Sequence, residues 1–203
     1  EIIEDEFGTN IDDVFSQFSE PIAAASIAQV HFAKIKSSNT EIDVAVKVLR
    51  PEIEKIINQE MERLEWLTTF MENFTEFQRL RPNSIIKKAK EVIKFELDLR
   101  YEAAAASELS ENTNMDESFY VPKVYWDKVT QKILTMEKII GVPADKIDEL
   151  NEKKVNKQQA AENLIINFLR QSIRDGYFHA DLHQGNLFLN PKGKLLSVDF
   201  GIM

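Results

Sequence analysis

The sequence contains no cysteine among its 203 residues. Disulfide frameworks, thiolate zinc sites and cysteine nucleophiles are therefore excluded. No apolar run reaches the roughly 18–20 residues that a membrane-spanning helix requires, and no basic segment followed by an apolar one opens the chain as a secretory signal would. Glycine is scarce, at six residues, and none falls between Pro21 and Lys47. That stretch must turn without the backbone freedom that glycine gives.

Basic residues are also fewer than acidic ones. The chain has 25 Lys and Arg against 34 Asp and Glu, which gives a formal net charge of −9. Nucleic-acid-binding domains usually carry the opposite sign, so no nucleic-acid partner is expected. The hydrophobic share of 43% and the charged share of 29% are those of a globular protein, which excludes a disordered chain, a collagen-like chain and a coiled-coil rod.

Hydrophobic patterning divides the chain into two parts. Three strand-like stretches, two long helical patterns and a strand pair come first; Gly141 and Pro143 then interrupt the pattern. The order predicts an α+β protein, with a strand-containing lobe and inserted helices over residues 1–138 and a mostly helical lobe over residues 139–203. The second lobe should contain a helix over Gln158–Arg174, which Gly176 ends. Its predicted buried side consists of Ala161, Leu164, Ile165, Phe168, Leu169 and Ile173.

One predicted strand carries a lysine on an apolar face. From Ile42 to Leu49 the residues alternate, so that Val44, Val46 and Val48 share one face and Lys47 lies on the other. A lysine among small and apolar neighbours must reach water or meet an anion. A solubility lysine on an edge strand is the competing interpretation.

A glutamate occupies a similar position on a predicted helix that starts at Ser84 and runs to about Leu109. Helical spacing places Glu96 on the apolar stripe of that helix. A carboxylate there needs a cation, and the prediction pairs it with Lys47. The alternative is a glutamate at the border of the stripe with its head group in water.

The most informative segment runs from His179 to Asn186 and is followed by Asp199-Phe200-Gly201 at the end of a predicted hairpin. It matches the H-x-D-x-x-x-x-N and D-F-G layout of kinase-like phosphotransferases. In that layout Asp181 orients the acceptor hydroxyl, and Asn186 and Asp199 supply the hard oxygen ligands that Mg²⁺ prefers. Lys47 would then bind the phosphates of ATP.

Two other interpretations of this segment stay open. His179, Asp181 and His183 could converge on zinc or iron, although the only other histidine is the distant His31. A plain loop and hairpin would need no chemistry at all. Neither explains why a lysine, an aspartate, an asparagine and a second aspartate follow in the order that phosphoryl transfer requires.

The stretch Pro21–His31 departs from ordinary kinases, since alanines stand where a glycine-rich loop is expected. It closely resembles the alanine-rich loop of the UbiB family, the atypical kinase-like proteins of ubiquinone biosynthesis. Other motifs share the resemblance, which extends from about residue 20 to residue 201: Val44–Pro51, Glu96–Leu99 with Glu102–Ala104, Val121–Val124, Met136–Glu137 and Phe178–Asp181.

The resemblance implies a protein-kinase-like bilobal fold that binds ATP and Mg²⁺. It also implies the following roles: Ala23, Ala24, Ala25 and Ser26 as the nucleotide loop, Lys47 as the phosphate-binding lysine, Glu96 and Asp98 as the E-x-D pair, Met136 and Glu137 at the adenine hinge, Asp181 as the catalytic-loop carboxylate, and Asn186 and Asp199 as metal ligands. Lys47, Glu96 and Asp181 would together form the catalytic set.

The chain departs from the family pattern in three places. Gln184 stands where family members usually have proline, the N-terminal K-x-G-Q segment is absent, and the sequence stops two residues after Gly201. We therefore expect a core fragment with a truncated helical lobe. The resemblance implies that the intact protein associates with a membrane, at the cytoplasmic face of a bacterial inner membrane or in mitochondria, and works with ubiquinone precursors, lipids or other ubiquinone-biosynthesis proteins.

Three functions remain open from the sequence. The first is ATP hydrolysis or phosphoryl transfer to a small or lipid-associated acceptor, with protein phosphorylation disfavoured by the alanine-rich loop. The second is a small-molecule kinase resembling the aminoglycoside and choline kinases. The third is a pseudokinase scaffold that binds nucleotide and organises other proteins.

Overall fold

The computed structural model describes residues 1–24, 27–37 and 40–203. Helices and strands are mixed, and two four-stranded sheets organise them. Two short helices open the chain: α1 (Ile2–Phe7) and α2 (Ile11–Val14). None of the helices in the described residues is both long enough and apolar enough to cross a bilayer.

The first sheet is antiparallel throughout. Its strands are β1 (Gln17–Ala24), β2 (Ala28–Ser37), β3 (Thr40–Leu49) and β5 (Ile133–Glu137), in the order β1-β2-β3-β5. Pro21 lies in β1, at the edge of the sheet, where a missing backbone N–H costs least. Residues 38 and 39, in the predicted turn between β2 and β3, lie outside the described residues.

Strand β3 confirms the predicted alternation. Val44, Val46 and Val48 are buried in one apolar cluster, which also contains Ile3 and Phe15 from the N-terminal segment. The opposite face packs on the rest of the molecule through a second cluster that contains Ala28, Leu49, Leu134 and Met136. Lys47 belongs to this second face, since Lys47 pairs in register with Leu134 and Ala45 pairs with Met136.

The segment between β3 and β5 is helical. It comprises α3 (Ile53–Met71), α4 (Thr75–Gln78), α5 (Pro82–Glu96) and α6 (Leu99–Asn112). The single helix predicted from Ser84 to about Leu109 is wrong, because the chain breaks at Leu97 and Asp98. The Asp98 carboxylate accepts a hydrogen bond from the backbone N–H of Arg100, so it caps a new helix.

The second sheet joins distant parts of the chain. Its strands are β4 (Phe119–Tyr120), β6 (Val142–Pro143), β7 (Leu187–Leu189) and β8 (Leu195–Ser197), in the order β4-β8-β7-β6. The β7–β8 hairpin confirms the predicted hairpin. Strand β4 pairs in parallel with β8. The lobe boundary after residue 138 stays a prediction. The second sheet includes strands from both sides of it, since β4 precedes residue 138 and the other three strands follow it.

The last third of the chain contains α7 (Ile147–Glu152) and α8 (Lys157–Leu169), and α8 continues into a π-helix over Arg170–Asp175. The predicted buried side of this helix is wrong. Leu164 is partly buried, but the other residues of the predicted side are exposed: Ala161, Ile165, Phe168, Leu169 and Ile173. Polar side chains face inward instead, because they bind other elements: Asn163 donates to the Gly193 carbonyl and Asn167 to the Ser118 hydroxyl.

Candidate functional site

The site is built around the ammonium group of Lys47. Its Nζ donates to both carboxylate oxygens of Glu102, at 2.9 and 2.8 Å, and to Oδ1 of Asp199 at 3.2 Å. Glu102 lies on α6 and Asp199 follows β8, so three separate elements meet here. The backbone N–H of Phe200 also donates to Glu102 Oε1, at 3.3 Å.

Burial and charge act in opposite directions on these groups. Burial disfavours the Lys47 ammonium, but the carboxylates of Glu102 and Asp199 outweigh that effect and raise the pKa of Lys47. Burial also opposes the ionised form of Asp199, yet Lys47 and the Gly201 N–H hold its pKa below the ordinary value. Burial raises the pKa of Glu102, although Lys47 pulls in the opposite direction. Lys47 therefore stays a cation that binds two acidic side chains.

The predicted ion pair between Lys47 and Glu96 is wrong. Glu96 is the exposed last residue of α5, and Lys47 binds Glu102 instead. The error comes from the break at Asp98, which shifts the phase of the helix. With α6 counted as a separate helix, Glu102 lies among its buried residues and is only 7% exposed.

A cavity of about 360 Å³ is lined by all three residues of the predicted catalytic set. Lys47, Glu102, Asp181 and Asp199 lie on its wall, and so does Glu96. Its apolar lining consists of Ile27, Phe95, Leu99, Tyr101, Ala105, Phe200, Ile202 and Met203. The cavity thus combines one cation and several carboxylates with an apolar surface.

The loop between Asp181 and Asn186 is held by its own hydrogen bonds. The side-chain amide of Asn186 donates to the Asp181 carbonyl at 3.0 Å. The backbone N–H of Val198, just before Asp199, donates to the Asn186 carbonyl at 3.0 Å. Asp181, Asn186 and Asp199 therefore lie in adjacent backbone segments. Asn186 is not among the residues that line the cavity, and its role as a metal ligand stays a prediction.

Asp199 has a left-handed backbone conformation, with φ of 63°. Side chains other than glycine rarely adopt this conformation, although aspartate tolerates it better than most residues. The conformation costs on the order of 1 kcal/mol. Strain of this kind is concentrated at functional sites.

His179 is buried behind the loop and supports it. Its Nδ1 accepts from the backbone N–H of Asp181 at 3.3 Å, and its ring packs against Phe200. Burial lowers the pKa of His179 below its ordinary value, although the backbone carbonyls of Val198 and Asp199 partly counteract this lowering. The imidazole is therefore neutral at pH 7. The ring thus connects the loop to the segment that carries Asp199.

The alternative zinc site is wrong. Among the described residues, no group of three His, Asp or Glu side chains is placed to hold a metal ion. His179 is committed to the Asp181 N–H, and His183 is a half-exposed side chain whose Nδ1 binds the Gly185 N–H. His31 is distant from both: its Nδ1 bonds the Ser19 carbonyl in the first sheet.

Of the predicted nucleotide-loop and hinge residues that the structure describes, none lines this cavity. Ala23 and Ala24 are exposed at the end of β1, and Ala25 and Ser26 lie outside the described residues. Met136 is buried on the Lys47 face of the sheet. The Glu137 carboxylate accepts hydrogen bonds from the Tyr120 hydroxyl and the Lys123 N–H. Their nucleotide-binding roles stay predictions.

Sequence reasoning missed Glu102 on the cavity wall and the contact of His183 with Asp181. Glu102 could have been found from the spacing Leu99, Glu102, Ala103 and Ala106, once Asp98 is taken as a helix N-cap. His183 was considered only as a metal ligand. Its contact with Asp181, at 3.7 Å between Nε2 and Oδ2, has no signal in a single sequence beyond the short spacing.

The fold and this ion-pair cluster are those of a protein-kinase-like domain. The family sequence model of the ABC1 atypical kinase-like domain matches residues 1–203, and the chain belongs to that family. It is 38% identical, over 99% of its length, to "Probable protein kinase UbiB" of Pseudomonas paraeruginosa, and 38% identical, over 100% of its length, to the protein of the same name from Marinobacter nauticus. The chain spans 38% of the length of each of these curated relatives.

A solved structure supports the fold. The chain superimposes, with a TM-score of 0.77 and 28% identity, on a structure described as the Rv3197–erythromycin complex from Mycobacterium tuberculosis. The match covers 98% of this chain and 49% of that one. The protein-kinase-like α+β fold predicted from the sequence is thereby confirmed.

Proposed function

We propose that this domain binds ATP with Mg²⁺ and hydrolyses it or transfers its γ-phosphoryl group to a small or lipid-associated acceptor. The observation that carries the proposal is the Lys47–Glu102–Asp199 cluster, which shares one cavity with Asp181. A lysine held by a glutamate beside a D-F-G aspartate is the arrangement that kinase-like enzymes use to bind nucleotide phosphates.

The donor chemistry fits Mg²⁺. Asp199 offers a carboxylate whose lowered pKa keeps it ionised. In the described part of the chain, Asn186 uses its amide nitrogen for Asp181, which leaves its amide oxygen available. Both are hard oxygen ligands, and the ion would neutralise charge that develops on the transferred phosphoryl group. Lys47 would bind the phosphates and Glu102 would orient Lys47.

Asp181 is suited to act on the acceptor. It lies on the wall of the same cavity as Lys47 and Asp199, and its backbone is fixed by His179 and Asn186. A half-exposed carboxylate there can orient a hydroxyl group or a water molecule and accept its proton.

The acceptor is proposed to have an apolar part. Phe95 and Tyr101 pack edge to face on the cavity wall, with ring centroids 5.0 Å apart, and both are more than half exposed. A role in ubiquinone biosynthesis rests on the names of the UbiB relatives, and the Rv3197 structure is described as binding erythromycin. Ubiquinone precursors, lipids and the other biosynthetic proteins are therefore the partners that we propose, at a bacterial inner membrane or in mitochondria.

A steady-state ATPase assay tests the proposal and separates it from the alternatives. We expect Mg²⁺-dependent phosphate release that increases with a ubiquinone-precursor mimic or lipid. Nucleotide binding without turnover would favour the pseudokinase scaffold. Stimulation by aminoglycosides or choline, with no response to the mimic or lipid, would favour the small-molecule kinase.

A further inference from the structure

The proposed chemistry gives no role to His183, although its ring lies beside Asp181. The His183 Nδ1 accepts from the Gly185 backbone N–H at 3.0 Å. In the neutral imidazole the proton is then on Nε2. That nitrogen lies 3.7 Å from Oδ2 of Asp181, so the donor side of the ring is turned toward the carboxylate.

Gly185 makes room for this ring position. A Cβ atom built on Gly185 would lie 2.8 Å from Cε1 and 3.1 Å from Nδ1 of His183. The backbone of Gly185 is not in the left-handed region, so alanine could adopt its conformation. Glycine at this position therefore leaves space for the imidazole ring, and the turn does not need its backbone freedom.

The loop backbone does not depend on the ring alone. The His183 N–H donates to the Asp181 carbonyl at 2.9 Å, and the Asn186 N–H donates to the His183 carbonyl at 3.0 Å. These bonds survive replacement of the side chain. The position of the ring can thus be separated experimentally from the fold of the loop.

We propose that His183 is a positioning residue for Asp181: its Nε2–H restrains one carboxylate oxygen so that the other faces the acceptor. This inference rests on the proposed function. The distance of 3.7 Å is longer than a hydrogen bond, but His183 and Asp181 have side chains 59% and 50% exposed. A rotation on acceptor binding can close the gap, as catalytic hydrogen bonds often tighten in the complex.

Two substitutions separate the functions of the two ring nitrogens. His183→Asn keeps an oxygen near Nδ1 that can accept from Gly185 but removes the donor that faces Asp181. His183→Gln keeps a donor of similar reach. We expect His183→Asn to lower kcat for ATP turnover on the order of ten-fold with KM for ATP within about twofold, and His183→Gln to recover most of that loss.

A second test moves the ring without replacing it. Gly185→Ala should displace the imidazole and lower kcat about as much as His183→Ala. In the His183→Ala background, Gly185→Ala should have no further effect, because the group it displaces is gone. Thermal unfolding of each variant verifies that the loop still folds.

The outcomes distinguish this inference from the proposed function. Wild-type kcat in His183→Asn, or additive losses from Gly185→Ala and His183→Ala, would overturn the positioning role while ATP turnover stands. A wild-type chain without Mg²⁺-dependent turnover would overturn both. Independently of activity, the ¹⁵N shifts of the His183 imidazole should report the Nε2–H tautomer, and an Nδ1–H ring would contradict the geometry.

Discussion

Lys47 and Glu102 are 55 positions apart in the chain, yet the Lys47 ammonium donates to both oxygens of the Glu102 carboxylate, at 2.9 and 2.8 Å. Both side chains are largely buried, with exposures of 13% and 7%. A buried pair of this kind is weak support for stability, because desolvation cancels much of the attraction. We therefore interpret it as a functional arrangement that holds the ammonium for a nucleotide.

This pairing predicts which glutamate matters for nucleotide binding. Lys47→Ala and Glu102→Gln should each weaken ATP binding about ten- to a hundredfold, since charge-assisted hydrogen bonds contribute about 1.5–3 kcal/mol. Glu96→Gln should weaken it less, because Glu96 does not hold Lys47. Calorimetric titration with MgATP measures this, with Glu111→Gln on the exposed side of α6 as the matched control. A larger loss for Glu96→Gln than for Glu102→Gln would contradict the pairing.

The alanine-rich loop predicts a restricted kinase activity. Each Cβ disfavours the positive φ angles that let a glycine loop fold tightly over the γ-phosphate. Ala24→Gly should therefore change nucleotide selectivity or unmask self-phosphorylation, measured by nucleotide titration and by incorporation of labelled phosphate. The loop would be only a strand connection if nucleotide affinity, ATPase rate and self-phosphorylation were all unchanged.

A buried carboxylate that is held by two arginines predicts a large stability effect. Asp116 has a side chain only 4% exposed and binds Arg170 and Arg174 at 2.9 and 2.8 Å. Replacing both arginines by methionine leaves the buried Asp116 carboxylate without a cationic partner. This should lower the free energy of unfolding by about 3 kcal/mol or more. Urea denaturation measures it. Asp127→Asn, which breaks an exposed pair with Lys128, should cost less than about 1 kcal/mol; a similar loss for both would refute the burial argument.

Tyr120 predicts an alkaline loss of stability. Burial and its hydrogen bond to Glu137 raise the pKa of Tyr120 to about 12. Between the ordinary value of about 10 and about 12 the unfolded chain loses this proton and the folded chain keeps it, so stability falls as pH rises. Tyr120→Phe should remove part of that fall in urea midpoints between about pH 9 and about pH 11.5. Tyr125 and Tyr177, whose pKa values are also raised by burial, should leave a residual slope. If the stability of Tyr120→Phe fell with pH as steeply as that of the wild type, Tyr120 would not be a source of the alkaline loss.

The sequence was most predictive where one periodicity dominated. The alternation in β3 fixed the face that Lys47 occupies, because strand side chains alternate strictly. The spacing from Asp181 to Asn186 and on to Asp199 predicted a loop followed by a hairpin, and the structure contains both. These features are local, and no distant contact is needed to infer them.

Helix partners were predicted less well, because a small change in phase rotates every side chain. The N-cap at Asp98 broke the predicted helix, so the stripe that contained Glu96 ended and one that contained Glu102 began. In α8, hydrophobicity favoured a buried Phe168, while the contacts of Asn163 and Asn167 with other elements turned the opposite face inward. Tertiary hydrogen bonds of this kind are not encoded in helical periodicity.

Mg²⁺-dependent ATP binding is the most direct test of the central claim, that Asp199 and Asn186 complete a nucleotide site around Lys47. We predict that ATP raises the Tm of the chain with Mg²⁺ present, and that chelation or Asp199→Asn removes most of this shift while the nucleotide-free Tm stays close to that of the wild type. Asn186→Ala should reduce the shift. An ATP-induced Tm shift of the same size with chelator, or in Asp199→Asn, would contradict the account.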